Sequence, residues 1–493
     1  MLFTFFIDAA LSIEGLISLI RAVADETLFF KINSYMAGNF KYRTNIMRIR
    51  NSILICVAFW VFAALNVSAQ SPPAQAFDNV IIHTANGQTI EGGTIVWRDG
   101  IIEAIGQDVT IPFDAYVHDG GDSLHIYPGF IDGMSLWGSP DSKVSSETPD
   151  QPGNPGYKRA GIQPQRHPAD LLEKDSEAFK EAPKIGFTTA VLGLKGQMLP
   201  GQVDLSFISG EKTQEGLLEK GIGMLAQFKE AKGAAYPSTT MALMARFRQL
   251  FYDARAQQQQ QKYFASAVSS YPAPSNEQPL EALYPVMEQQ QPFYFVADSK
   301  ENIERMFWLQ DELGFDVILV SGKEAHEKAD ELKARNIPVL ASIELPEKPE
   351  WMVEDEDEEE KEKKKKIEVT EEMRIFRDRQ EEAYRTDIEN IKKLKEAGIR
   401  VGFASNGLKP EDFIKNLIVL KEEGGLSKRS ILSMLTQSTA NIIGYGQRIG
   451  NLKSGRIASF TVFDQPFLEE EAKSIYSVTN GEVTEIESES SNK

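Results

Sequence analysis

Hydrophobic and polar positions follow two different patterns along the chain. From residue 79 to 106, short β-rich runs are separated by Asn86-Gly87 and Asp99-Gly100, dipeptides typical of hairpin turns. The same pattern returns in residues 458–464 and 477–485. Between these two ends, buried strand candidates alternate with amphipathic helix candidates. Such alternation favours an α/β fold, in the form of a parallel barrel.

The predicted elements of the middle region are short strands and longer helices. Two low-complexity runs interrupt them. Gln257–Gln261 is predicted to be an exposed helix end, and the acidic and basic blocks of 354–366 to be a solvated helix or loop rather than a binding site. The predicted strands are 187–194, 292–297, 315–320, 337–342 and 399–404, and the predicted helices are 237–255, 323–335, 371–397, 411–421 and 428–443.

An apolar run near the N-terminus has the features of an export signal. Residues 53–65 are 13 consecutive apolar positions, too few for a membrane span, which needs about 20. Basic residues precede the run and a small-residue site ends at Ala69. We therefore predict a signal peptide over 47–69 and a periplasmic or extracellular protein without a membrane span after cleavage. Residues 1–46 are interpreted as an over-extended gene model, a genuine extension being the alternative.

Composition narrows the possible chemistry. The formal net charge of −19 excludes a nucleic-acid binder, which needs a basic face. The single cysteine, Cys56, lies in the predicted signal peptide, so neither a disulfide framework nor a cysteine-based zinc site is expected. Each histidine is predicted to be a lone surface or loop residue, and only two of them could approach a barrel pocket, His167 and His326. The other three are His83, His118 and His125.

Four segments in a fixed order carry a resemblance to a known family. They are the β-rich stretch 93–106, the strand 126–133 with the sequence IYPGFIDG, the segment 186–190 and the C-terminal stretch 435–464. Together they resemble the amidohydrolase superfamily, most nearly its imidazolonepropionase-like branch. The resemblance implies a (β/α)8 TIM-like barrel with a composite β-sandwich built from both ends of the chain. The implied domains are a sandwich of 76–127 plus 447–487 and a barrel of 128–446 with a charged insertion at 353–370.

The family's metal ligands are replaced in this chain. The resemblance implies one or two divalent metals, usually zinc, which activate a water for attack on an amide, imide or lactam carbonyl. Its ligands are an H-x-H pair on the first strand, histidines from the fifth and sixth strands and an aspartate on the eighth. Leucine, valine and lysine cannot replace them, and a thioether or an amide is a poor substitute. The residues at these positions are Met134, Leu136, Val296, Lys323 and Asn406.

The pocket-lining candidates are these five residues together with Asp132, and no catalytic or metal-ligating residue is assigned. Met134, Leu136, Trp137 and Val296 would give an apolar pocket, suited to a hydrophobic guest or packed shut. Asp132 is interpreted as structural, and Ser135 and Ser405 as filling the space of lost ligands, in preference to a serine–lysine or carboxylate-pair mechanism.

Two classes of function follow. The first is a non-catalytic homologue that binds a small-molecule ligand, or that forms a homo- or hetero-oligomer with an intact amidohydrolase relative; no cofactor is expected. The alternative is an active hydrolase of non-peptide C–N bonds with an altered metal centre.

Overall fold

The computed structural model describes residues 72–142, 144–173, 176–208, 216–266, 273–353, 370–469 and 472–486. The predicted extension, the signal peptide with Cys56 and the charged run 354–366 therefore lie outside the described residues. Within the described ranges, no helix has both the length and the apolar character needed to cross a membrane.

The described residues form two sheets and a set of helices. The strands are β1 Gln75–His83, β2 Thr89–Arg98, β3 Ile101–Gly106, β4 Tyr116–Asp119, β5 His125–Pro128, β6 Phe130–Ser135, β7 Phe187–Leu192, β8 Gly201–Phe207, β9 Leu217–Gln227, β10 Phe293–Ala297, β11 Val317–Ser321, β12 Val339–Ser342, β13 Val401–Ala404, β14 Phe460–Phe463, β15 Ser474–Thr479 and β16 Glu482–Glu485. The helices are α1 Glu177–Glu181, α2 Thr240–Ser266, α3 Gln278–Glu281, α4 Tyr284–Met287, α5 Lys300–Leu313, α6 Ala329–Ala334, α7 Glu371–Ile388, α8 Asn390–Glu396, α9 Pro410–Glu422, α10 Lys428–Leu435 and α11 Gln437–Ile442.

The first sheet joins the two ends of the described chain. Its order is β16-β15-β14-β5-β1-β2-β3, with β4 paired to β1. The buried rings of Phe77, Trp97 and Phe460 pack on one another across it, at centroid distances of 5.2 to 6.0 Å. Trp97 also donates from Nε1 to the Gly481 carbonyl at 2.9 Å. Gly481 has a φ of 82°, and a Cβ there would lie 2.7 Å from Gly100 Cα, so this turn requires glycine.

The second sheet has the strand order of the predicted barrel, but one of its strands runs in the opposite direction. Its order is β13-β12-β11-β10-β9-β8-β7-β6. All neighbouring pairs are parallel except those of β8, which is antiparallel to β7 and to β9. The expectation of parallel strands is therefore wrong at this position. The connections 193–200 and 208–216 are too short for a crossover helix, because a parallel crossover needs about a dozen residues.

The first and last strands of this sheet lie close together. The Asn406 N–H donates to the Met134 carbonyl at 2.9 Å. A Cβ on Gly133 would lie 2.7 Å from the Phe403 carbonyl oxygen. These contacts link β6 with β13, while a fully closed barrel remains a prediction.

Two further expectations change. The run 257–261 lies inside α2, and Gln257 is only 6% exposed, because its amide bonds Asn276, Glu277 and Tyr284. The predicted helix 371–397 is divided into α7 and α8 at Glu389.

Candidate functional site

Asp132 is a buried polar residue of β6, the first strand of the second sheet. Its side chain has no exposed surface. Oδ2 accepts from Ser405 Oγ at 2.5 Å, and Oδ1 accepts from the Ser405 N–H at 2.9 Å and the Met134 N–H at 3.2 Å. Burial raises the pKa of Asp132 to about 7, since the charged form loses its hydration, and the donors offset this in part. The carboxyl therefore ties β6 to the end of β13.

Apolar side chains fill the space where the family's ligands would converge. Met134 belongs to a buried hydrophobic cluster on the inner face of the second sheet, together with Leu225 and Tyr294. The partly buried Leu136 and Val296 pack against this cluster. Met134 is fully buried. These three predicted pocket-lining residues therefore lie in the same apolar region of the second sheet.

Met134 and Leu136 also lie close to two glycines. A Cβ on Gly193 would lie 2.1 Å from Met134 Cε and 3.4 Å from Leu136 Cδ2. Leu136 also lies over Gly407, beside Asn406. Trp137 does not line this space: it packs edge-on against Phe187 in the other cluster.

Lys323 and Asn406 make separate interactions. Lys323 donates to Glu344 Oε2 at 2.7 Å, and both side chains are substantially exposed. Asn406 has a φ of 47° and lies two residues after the end of β13. The structure therefore does not bring Lys323 into contact with the Asp132 centre.

The residues at these positions do not fit the family's divalent metal. Across the described ranges, no group of three or more His, Cys, Asp or Glu side chains could hold a metal ion. The buried carboxyl of Asp132 already accepts three hydrogen bonds from Ser405 and Met134, and the Met134 thioether is enclosed by apolar atoms. A catalytic zinc needs about three protein ligands.

The histidines are not the lone residues that the sequence suggested. His83 Nε2 lies 2.9 Å from His125 Nδ1, and the His83 ring stacks on Tyr127 at 4.3 Å. The prediction of isolated histidines is therefore wrong for this pair. His118 stacks on Phe77 at 4.6 Å.

The two histidines considered for the barrel pocket lie elsewhere. His326 lies within the 3-10 turn Ala325–Lys328, and its Nδ1 lies 3.1 Å from Asn390 Oδ1. His167 Nδ1 lies 3.0 Å from Oδ1 of the fully buried Asp204 on β8.

A polar cavity of about 470 Å³ lies beside this His167–Asp204 pair. Gln202 and Asp204 alternate on β8 with Val203 and Leu205, which pack inside the sheet, so the two polar residues face the other side. The sequence carried no motif for this cavity, because its walls come from four separate segments. They are Gln165, His167, Gln202, Lys220, Gly221, Gln278, Glu281, Ala282, Pro285 and Gln291.

One solved structure supports this fold, and two others are less similar. An amidohydrolase of Thermotoga maritima MSB8 is 17% identical, with a TM-score of 0.66, over 84% of this chain and 100% of that chain. A prolidase complexed with N-methylphosphonate-L-proline is 12% identical, with a TM-score of 0.46, over 84% and 100%. A putative prolidase from Bifidobacterium longum is 13% identical, with a TM-score of 0.43, over 84% and 95%.

The fold is α/β with a sheet built from both ends of the described chain, and it is similar to that of the solved amidohydrolase. A sequence model of the Amidohydrolase family matches residues 302–486. A search of curated proteins by sequence finds no match. The predicted resemblance to amidohydrolases is confirmed by this match to residues 302–486. The placement in the imidazolonepropionase-like branch stays a prediction.

Proposed function

We propose that this chain is a non-catalytic amidohydrolase homologue whose former metal site has become part of the hydrophobic core. The observation that carries the proposal is the apolar packing at the positions that the resemblance gives to the ligands. Met134 lies in a buried cluster, and the partly buried Leu136 and Val296 pack against it. Apolar side chains that fill a site exclude both the metal-bound water and a polar amide substrate. The proposal includes a periplasmic or extracellular location, because the sequence of 47–69 has the pattern of an export signal.

Asp132 does not supply a substitute mechanism. A general acid or base must reach the reacting atoms within hydrogen-bond distance. The carboxyl has no exposed surface, and its oxygens already accept from Ser405 and Met134. Its contacts support a structural role that holds β6 to β13. The alternative of an active C–N hydrolase therefore gains no support from Asp132.

Metal content and turnover test the proposal together. The chain starting at Gln70 is produced in zinc-supplemented medium, and metal is measured by mass spectrometry beside an intact zinc amidohydrolase purified in the same way. Hydrolysis is assayed on N-acyl amino acids, cyclic amides and dipeptides. We expect substoichiometric metal and no turnover. Stoichiometric zinc with chelator-sensitive turnover, or turnover without metal, would overturn the proposal.

A further inference from the structure

The cavity beside His167 and Asp204 has features of a ligand site that the barrel mouth lacks. It lies on the outer side of the β8–β9 hairpin, whereas Met134 and Val203 pack on the inner side. Its volume of about 470 Å³ is within the usual range for small-molecule sites, roughly 300–1,000 Å³. Ligand binding in this cavity would therefore not depend on whether the predicted metal site is retained.

Three glutamine side chains of this cavity have a carbonyl oxygen without a partner. The oxygens are Oε1 of Gln165, Gln202 and Gln291, each buried and without a hydrogen bond within the described part of the chain. Gln202 is only 5% exposed. Buried polar atoms are nearly always paired in folded proteins, so three unpaired acceptors around one cavity call for a donor.

The orientation of two of these amides is fixed by their nitrogen atoms. Gln202 Nε2 donates to the Pro164 carbonyl at 2.7 Å, and Gln291 Nε2 donates to the Gly221 carbonyl. A carbonyl accepts only from a donor, so neither amide can be flipped without losing its bond. The free atom is therefore the oxygen.

These groups converge on Gly221. With a φ of 67°, it brings its backbone close to them, and a Cβ there would lie 3.1 Å from Gln291 Nε2, 3.5 Å from His167 Cε1 and 3.8 Å from Gln202 Oε1. A side chain at 221 would fill this corner.

The charged groups of the cavity already have partners. Lys220 Nζ lies 2.6 Å from Asp170 Oδ1, His167 is bonded to Asp204, and Glu281 Oε2 accepts from Asn276 at 3.0 Å. The groups without partners are neutral acceptors. A charged ligand would have to compete with an existing pair, whereas a neutral donor would not.

We propose that this cavity binds a neutral, hydroxyl-rich small molecule, a sugar or polyol. A hydroxyl donates one hydrogen bond and accepts others. It can therefore donate to the oxygens of Gln165, Gln202 and Gln291 while it accepts from the ammonium of Lys220.

Calorimetric titration of the chain from Gln70 tests the proposal, with D-glucose, D-galactose, maltose and myo-inositol as probes and ethanolamine and acetate as charged comparators. We expect at least one of the polyols to bind and both comparators to fail. Gln202→Met should weaken that binding by about tenfold or more, because an acceptor is lost. Gln107→Met, on the exposed surface of the other sheet, is the matched control and should leave it unchanged.

A second variant keeps the test decisive if Gln202→Met does not fold. Gln165→Met removes an acceptor whose amide makes no hydrogen bond to the described residues, so it should weaken binding without loss of stability. Binding of no polyol, binding of only a charged comparator, or equal affinity in Gln165→Met and the unaltered chain would each overturn the proposal.

Discussion

Ser405 contacts both carboxyl oxygens of Asp132, with Oγ donating to Oδ2 at 2.5 Å and the backbone N–H donating to Oδ1 at 2.9 Å. The two residues are 273 positions apart in sequence. They join the first and the last strand of the second sheet, beside positions where the resemblance implies metal ligands. A group adapted to a cation would keep its carboxylate charged, whereas burial here raises the pKa of Asp132 to about 7.

The raised pKa of Asp132 predicts a pH-dependent stability. The folded state binds the proton more tightly than the unfolded chain, whose carboxyl has its ordinary pKa of 3.8. The contribution is therefore fully present below about pH 4 and is lost as pH rises to about 7. Asp132→Asn mimics the protonated acid and removes this dependence. The free energy of unfolding of the unaltered chain minus that of the variant should fall by about 2–4 kcal/mol between pH 4 and pH 8.

Urea denaturation of both proteins at several pH values measures this difference, in which the other titrating groups cancel. Ser405→Ala serves as a control, because it removes a donor and leaves the carboxyl able to titrate. A difference that is the same at pH 4 and pH 8 would show that Asp132 is not protonated by burial.

Residues of this site could be named from the sequence, but their contacts could not. The resemblance placed Met134, Leu136 and Val296 at ligand positions, which stays a prediction. In the structure, Met134 lies in a buried cluster and the other two pack against it. The resemblance could not give the bonds of Asp132 to Ser405, or the exposure of Lys323 beside Glu344, because side-chain partners depend on strand register.

Close approach of β6 and β13 predicts that Gly133 cannot carry a side chain. A Cβ would lie 2.5 Å from Leu340 Cδ2 and 2.7 Å from the Phe403 carbonyl oxygen, and a backbone atom cannot rotate away. Gly133→Ala should lower the free energy of unfolding by about 2–3 kcal/mol. Gly153→Ala, where no atom lies within 4 Å, is the control and should change it little. Equal stabilities of the two variants would argue against the approach of these strands.

Buried hydrogen bonds of Gln257 predict a second loss of stability. Its Nε2 lies within 3.3 Å of acceptors on Asn276, Glu277 and Tyr284, and its Oε1 accepts from the Glu277 N–H. Gln257→Leu leaves these groups unpaired and should cost about 1–3 kcal/mol in thermal or urea unfolding.

Gln258→Leu is the neighbouring control, since this side chain bonds only the exposed Glu288 and should cost less than about 0.5 kcal/mol. A loss at 258 as large as that at 257 would contradict the assignment.

Elements that follow from local sequence patterns could be predicted, whereas features that depend on how strands pair could not. The strands at Phe293, Val317, Val339 and Val401 begin within two residues of their predicted starts, because continuous apolar runs mark buried strands. The reversed β8 had no such signal. The burial of Gln257 was also missed, because a run of five glutamines does not indicate which side chain faces the core.

The His83–His125 pair predicts destabilisation by acid. Burial, and then the neighbouring His125, lower the pKa of His83 to about 4. The folded state therefore binds this proton less tightly than the unfolded chain, and the stability present above about pH 6.5 is lost as pH falls toward 4.

His83→Gln should remove about 1 kcal/mol of this dependence, a modest value because the ring is partly exposed. His125→Gln should retain most of it, since burial is the larger cause; Asp464, which favours protonation of His125, stays in both variants. Melting temperatures from pH 4 to 7.5 measure the effect. Parallel curves for His83→Gln and the unaltered chain would show that the His83 ring does not resist protonation in the fold.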